Sequence, residues 1–143
     1  MSTLHAAISA SASALTAERT RIEVAVSNMA NAESTRGADG EPYRRRDVVL
    51  TSDPVNSFSG ALGEASATGV KVAEVVADQS EFRRRYEPSH PDADAEGFVS
   101  LPKVDQAQEM VDMLGAARAY QANLAAIGMI RDLIAKSLEL GRS

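Results

Sequence analysis

Lys103-Val104-Asp105-Gln106-Ala107-Gln108-Glu109-Met110-Val111-Asp112-Met113-Leu114-Gly115-Ala116-Ala117-Arg118-Ala119-Tyr120-Gln121-Ala122-Asn123-Leu124, continued to Leu140, is the stretch that decides the fold. Met113, Tyr120, Ile127 and Ile134 recur every seventh residue, and so do Met110, Ala117, Leu124 and Leu138, with Arg131 as the break. Such a seam predicts one long helix made to lie along another helix. At about 1.5 Å per residue the run would be roughly 60 Å long, too long for a small compact domain. Val104, Ala107, Val111 and Leu114 add a second apolar stripe, and Gly115, Ala119, Ala122 and Ala126 a flank of small residues. The apolar arc is therefore wider than one partner helix can cover. An exposed stripe of that length is read as an interaction surface.

A second seam lies at the other end of the sequence. Ile8, Leu15, Ile22 and Met29 recur every seventh residue of a predicted helix from about Ser2 to Ala32, with Leu4 and Ala25 on the companion positions and Ser11 and Glu18 interrupting them. This seam is thin, so residues 1–14 are expected to be weakly ordered until something covers them. The economical arrangement is mainly α: long N- and C-terminal helices (1–35 and 102–143) paired as an antiparallel coiled coil, with a small β-rich insert (36–101) between them.

Within the insert, Asn31 to Pro42 is a run of turn formers. Strands are predicted at Tyr43–Thr51, Val70–Val76 and Phe82–Tyr86, and a mobile loop at Ser52–Gly69. From Glu87 to Pro102 the chain reads as extended and irregular, with Phe98-Val99 as its only apolar anchor.

Composition sets further limits. The 143 residues are 44% hydrophobic, but only 4% are aromatic. Much of the apolar content is alanine, which contributes little buried area at about 25 cal/mol per Å². A net charge of −5 argues against a general nucleic-acid binder. With no cysteine there is no disulfide and no thiolate metal site. No run approaches the roughly 18–20 apolar residues that span a bilayer, so direct membrane insertion is not expected. The first basic side chain is Arg19, and Ser and Ala stand where a secretory signal would carry an apolar stretch. Export, if it occurs, is expected without a cleaved signal peptide.

Candidate chemistry is sparse. Asp92, Asp94, Glu96 and Gly97 resemble the opening of a calcium loop, but its twelfth position is Lys103 where a bidentate Glu is needed. An acidic turn whose carboxylates meet arginines or cap backbone is the expectation, with no metal and no cofactor. The runs Arg44–Arg46 and Arg83–Arg85 alternate between strand faces, so neither forms a single basic patch. Salt bridges to acidic loops of neighbouring subunits are their expected use. His5 and His90 have no nucleophile placed beside them by sequence, and no nucleophile elbow or glycine-rich phosphate loop is present. No catalytic residue is assigned, and the chain is not expected to be an enzyme.

Four blocks together carry a resemblance. Ser27-Asn28-Met29-Ala30-Asn31-Ala32-Glu33-Ser34-Thr35 resembles the N-terminal signature of the bacterial flagellar axial proteins, the rod, hook and hook-associated family, with Ala30, Asn31 and Thr35 at the motif positions. Pro42-Tyr43-Arg44-Arg45 and the stretch Tyr86 to Val99, containing Pro88, His90, Pro91, Asp92, Asp94 and Gly97, resemble the pattern of the proximal rod members. Glu109-Met110 and Arg118, Tyr120, Gln121 and Asn123 fit the C-terminal axial signature. Departures are confined to Ser89, where the family often has Gly, Phe98, where it often has Tyr, and Leu101-Pro102-Lys103-Val104 near a usual P-N-V.

The resemblance implies a structural protein of the basal-body rod in the periplasmic space. Its helices would pack with copies of the chain and with neighbouring rod proteins into a hollow helical tube. The C-terminal helix would lie innermost, toward the export channel, and delivery would use the flagellar type III export apparatus. The residues alone also allow a soluble coiled-coil adaptor or export chaperone.

Overall fold

The computed structural model describes residues 2–54 and 68–141. Two long helices bracket two small antiparallel sheets. Helix α1 spans Ser2–Ala30 and α2 spans Gln106–Leu140. The stretch expected to be weakly ordered is thus helical from Ser2. Ion pairs Arg19–Glu23 (2.9 Å) and Glu18–Arg21 (2.9 Å) run along the α1 surface at helical spacing. Its side is lined by small residues: Ala17 is 1% exposed and Ala25 4%. α1 packs against α2 and also against both strands of the first sheet.

The end of α1 follows from its last residues. Asn31 donates from Nδ2 to the Ser27 carbonyl (2.9 Å), and Ser34 Oγ bonds the Asn31 carbonyl (2.9 Å). These side-chain bonds replace the helix ladder, and the chain turns. Helix α2 starts at Gln106 rather than at Lys103, because Asp105 is its N-cap. Asp105 Oδ1 accepts from the Ala107 and Gln108 amides (2.9 and 3.3 Å), satisfying two otherwise unpaired donors.

Between the helices, β1 (Arg46–Pro54) pairs with β2 (Thr68–Ala77), and β3 (Arg83–Tyr86) pairs with β4 (Phe98–Leu101). The first ribbon starts at Arg46 opposite Ala77 and shifts register between Val49 and Leu50, where Ala73 is the extra residue. The loop expected over Ser52–Gly69 lies mostly outside the described residues, and both its ends are strand: β1 continues to Pro54 and β2 begins at Thr68. Where β2 meets α1, a Cβ on Gly69 would come within 2.6 Å of Ser13 Oγ, so a larger residue would have to displace that hydroxyl. Ser13 Oγ there accepts from the Val70 amide (3.1 Å).

The irregular stretch expected from Glu87 to Pro102 contains β4, which the sequence reading missed. Its apolar alternation is only two residues long, Val99 and Leu101, and both are fully buried. Gly97 makes that strand possible. It has φ +85°, and a Cβ there would lie 2.9 Å from Tyr86 Cε2. Val99, Leu101, Pro102, Val104 and Ala32 form the apolar core at the base of the helices. Burying Val99, Leu101 and Val104 stabilises by about 1.5–3 kcal/mol each.

Candidate functional site

At the base of the helix pair, beside the apolar core, two polar side chains are also buried. Asn28, near the end of α1, is 1% exposed, and Glu109, in the first turns of α2, is 2% exposed. Asn28 Nδ2 donates to Glu109 Oε2 (2.9 Å) and to the Arg46 carbonyl (2.8 Å). Its Oδ1 accepts from the Arg46 amide (2.9 Å) and from the Tyr43 hydroxyl (2.9 Å). All the hydrogen-bonding capacity of the amide is used. Towards β1, Asn28 bonds like an adjoining strand residue.

The other carboxylate oxygen, Glu109 Oε1, accepts from Arg45 Nε (2.5 Å), and Arg45 also pairs with Asp47. Burial works against the Arg45 charge, but the bonds to Glu109 and Asp47 outweigh it and hold the guanidinium pKa above its usual range. One side chain from each of α1 and α2, with the start of β1, thus closes a single knot. Among the described residues, Asn28–Glu109 is the one side-chain hydrogen bond that crosses between the helices.

A second set of polar contacts ties β3 and β4 to the turn after α1. Glu33 meets Arg85 (2.7 Å) and Arg83 (3.3 Å), and Asp92 meets the Thr35 hydroxyl (2.8 Å) and Arg36 (3.1 Å). Asp94 Oδ1 accepts from the amides of Phe98 (2.8 Å) and Glu96 (2.9 Å), while Oδ2 pairs with Arg84 (2.6 Å). The Phe98 amide, followed by Arg84, holds the Asp94 carboxyl below the usual range, and the Arg85 hydrogen bond does the same for Glu33. The carboxylates of the acidic turn are used as counter-charges and backbone acceptors. Arg44, Arg45, Arg83, Arg84 and Arg85 each pair with a carboxylate of their own chain. Their positive charge also meets rings: Arg84 lies 4.6 Å over Phe98 and Arg44 4.4 Å over Phe82.

The motif residues of the resemblance divide between these places. Asn31, Thr35 and Asp92 shape the turn after α1, Tyr43 and Glu109 belong to the knot, and Tyr86 packs edge-on to Phe98 (5.3 Å between centroids) beside Gly97 and Pro88. His90 Nδ1 accepts from the Asp92 amide (3.1 Å), within the turn that also holds Pro91. Pro42 precedes the knot, and Ala30 is the exposed last residue of α1. Arg118, Tyr120, Gln121 and Asn123 are not gathered there and lie along α2, where Arg118 and Gln121 are exposed.

Of the seam residues, Leu4, Ile8, Leu15, Ile22 and Met29 on α1 are half-buried, as are Met113, Tyr120, Ile127 and Ile134 on α2. Met110, Leu124 and Leu138 face away, 52%, 56% and 55% exposed. The row that accompanies Met113 and its repeats on the covered side is Glu109, Ala116, Asn123 and Ile130, again spaced by seven. Two polar members hid it from a reading that looked for apolar seams. Asn28, Arg45 and Arg46 were missed as a unit for the same reason. The available signal was an Asn beside a seam Met and a Glu in heptad step with Ala116.

Beside the start of α2 an open cleft of about 660 Å³ is lined by Glu33, Arg45, Asp78, Arg83 and Lys103 among others, a mixture of both charges. Among the described residues no three His, Asp or Glu side chains converge as a metal site, and no helix is long and apolar enough to cross a membrane. The chemistry on offer is packing and ion pairing.

Residues 95–140 match the family model described as flagellar basal body rod FlgEFG protein C-terminal. The chain is similar over nearly its whole length to flagellar basal-body rod protein FlgC of Escherichia coli O6:H1, 45% identical over 91% of this chain and 92% of the relative. It is 43% identical to the protein of that name from Bacillus subtilis strain 168, over 94% of this chain and 96% of the relative. With that of Borreliella burgdorferi the identity is 35%, covering 96% and 97%.

Proposed function

The chain belongs to the flagellar basal-body rod protein FlgC family and is a structural subunit of the rod, and from that premise we propose how its parts build the rod. The terminal parts, 1–35 and 102–143, form an antiparallel coiled coil that packs with copies of the chain and neighbouring rod proteins into a hollow helical tube. The tube transmits torque and encloses the export channel, and residues 36–101 project from it. Subunits reach their place through the flagellar type III export apparatus. Head-to-tail contacts that do not close into a ring produce such a tube.

The observation that carries this reading is the uncovered apolar side of α2. Within the helix only Glu109 and Ala116 are buried, while Leu114 is 49%, Leu124 56%, Met129 63% and Leu133 58% exposed. That surface extends the length of the helix, and further helices covering it would bury a continuous seam. On the first ribbon Val49, Leu50, Val75 and Val76 are also uncovered, 37–45% exposed.

Leu124→Asp tests the reading. It places a charge on the open side of α2 and is expected to abolish incorporation into detergent-extracted basal bodies, and motility with it. Normal swimming and a full complement of the variant in basal bodies would show that this face is not an assembly surface. Wild-type chain that washes out of extracted basal bodies would instead make it a transient adaptor.

A further inference from the structure

We infer that the buried Asn28–Glu109 hydrogen bond sets the register of α1 against α2, a task the apolar residues of the two helices cannot perform. The inference deepens the coiled-coil reading above and depends on it. The seam residues of α1 (Ile8, Leu15, Ile22, Met29) and of α2 (Met113, Tyr120, Ile127, Ile134) each recur every seven residues. A slip of one heptad therefore places like against like, and the apolar contacts barely distinguish the two alignments. Helix length barely distinguishes them: α2 has 35 residues and α1 has 29, so after such a slip all but the first two residues of α1 still lie opposite α2.

The polar pair differs in kind. After the slip that keeps most of α1 covered, Asn28 would face Ala116, and Glu109 would be carried past the end of α1. Asn28 is held to β1 by three further bonds, to the amide and carbonyl of Arg46 and to the Tyr43 hydroxyl. It cannot follow Glu109 without breaking them. The slipped alignment would also separate Glu109 from Arg45, whose Nε it meets at 2.5 Å. The slip would therefore leave one Asn28 donor buried against Ala116 without an acceptor and remove the charge-assisted bonds of Glu109, which disfavours it. The knot thus selects one of two otherwise similar packings and ties the position of the β1–β2 ribbon to it. Neighbouring subunits then meet one surface instead of two.

The natural absence of cysteine makes the test direct. Counting two heptads outward from Asn28 and Glu109, Ala14 faces Asn123 in the native register and Ile130 in the slipped one. Full-length chain carrying Ala14→Cys with Asn123→Cys, or Ala14→Cys with Ile130→Cys, is oxidised mildly and the internal disulfide quantified. In the otherwise wild-type background the first pair is expected to exceed the second by about tenfold or more, as one charge-assisted hydrogen bond sustains. Glu109→Leu leaves the Asn28–Arg46 bonds in place and should bring the two yields within about threefold of each other. Unchanged preference in Glu109→Leu overturns the inference. Glu109→Gln keeps an acceptor for Asn28 and should retain the native preference; should Glu109→Leu lose its helical circular dichroism, a mixed register in Glu109→Gln overturns the inference instead. Failure of both pairs to cross-link in the wild-type background would count against the antiparallel pairing itself, a different result from loss of register.

Discussion

The two ends of the helix pair are built in opposite ways. At the base, where α1 ends and α2 begins, polar side chains are buried and every hydrogen bond of Asn28 is made. Toward the far end of α2 the side chains are apolar and open: Met129 is 63% exposed, Leu133 58% and Leu140 78%. Both places depart from the usual preference for apolar residues inside and polar ones outside, although an apolar core also lies at the base. The base is completed by the chain itself, and its polar bonds fix geometry. The far end is left open by the chain itself, and covering its apolar side chains would add hydrophobic stabilisation.

The largest effect on the isolated chain is expected at the base. Asn28→Leu leaves the Arg46 amide and carbonyl, the Tyr43 hydroxyl and one Glu109 oxygen without their partner. It should lower stability by about 3 kcal/mol in urea unfolding. A loss below about 1 kcal/mol would mean that water reaches these groups and that the base is not closed. Next comes Gly97→Ala, at the turn that feeds β4. Its positive φ and the approach of Tyr86 should cost about 1–2 kcal/mol, read as a lowered midpoint at unchanged urea dependence.

At the far end the same measurement should find almost nothing. Leu124→Asp, expected to stop rod assembly, should change the stability of the isolated chain by no more than about 0.5 kcal/mol. A large loss there would show that the chain already covers Leu124, and the contrast between the two ends would collapse. The smallest effect is on acidification. Glu33 and Asp94 have lowered carboxyl pKa values in the folded chain, through Arg85 and the Phe98 amide respectively. A lowered folded pKa means their contribution is complete above the unfolded carboxyl value of about 4 and fades as the pH falls through the folded values. Amide exchange in β3 and β4 should therefore quicken below about pH 4 before exchange in α1 and α2 does. Simultaneous loosening of helices and sheet would mean these surface pairs do not act as a separate tether.

The seven-residue repeats made both helices legible from sequence, because burial on one side of a helix leaves that period in the chain. They did not reveal which of two adjacent rows on α2 faces α1. Met110 and Glu109 are neighbours, and apolarity favours Met110 as the inward residue; Arg45, brought from 64 residues away, favours Glu109. Strand β4 was equally hidden, since Val99 and Leu101 offer too short an alternation and the decisive feature is the conformation of Gly97. The acidic turn was legible as carboxylates that meet arginines or cap backbone, and it does both. That the partners lie in the same chain depends on how Glu33, Asp92 and β3 come together.

By itself, then, the sequence determined the long helices, the small β insert, the surplus of apolar surface on α2 and, through its motif blocks, the family. Each of these is written in residues close in sequence or in a regular period. Only the tertiary structure decided that Asn28 and Glu109, 81 residues apart, share one hydrogen bond and that Met110 and Leu124 are turned outward. A buried polar contact depends on where two distant segments meet, and no local period records that.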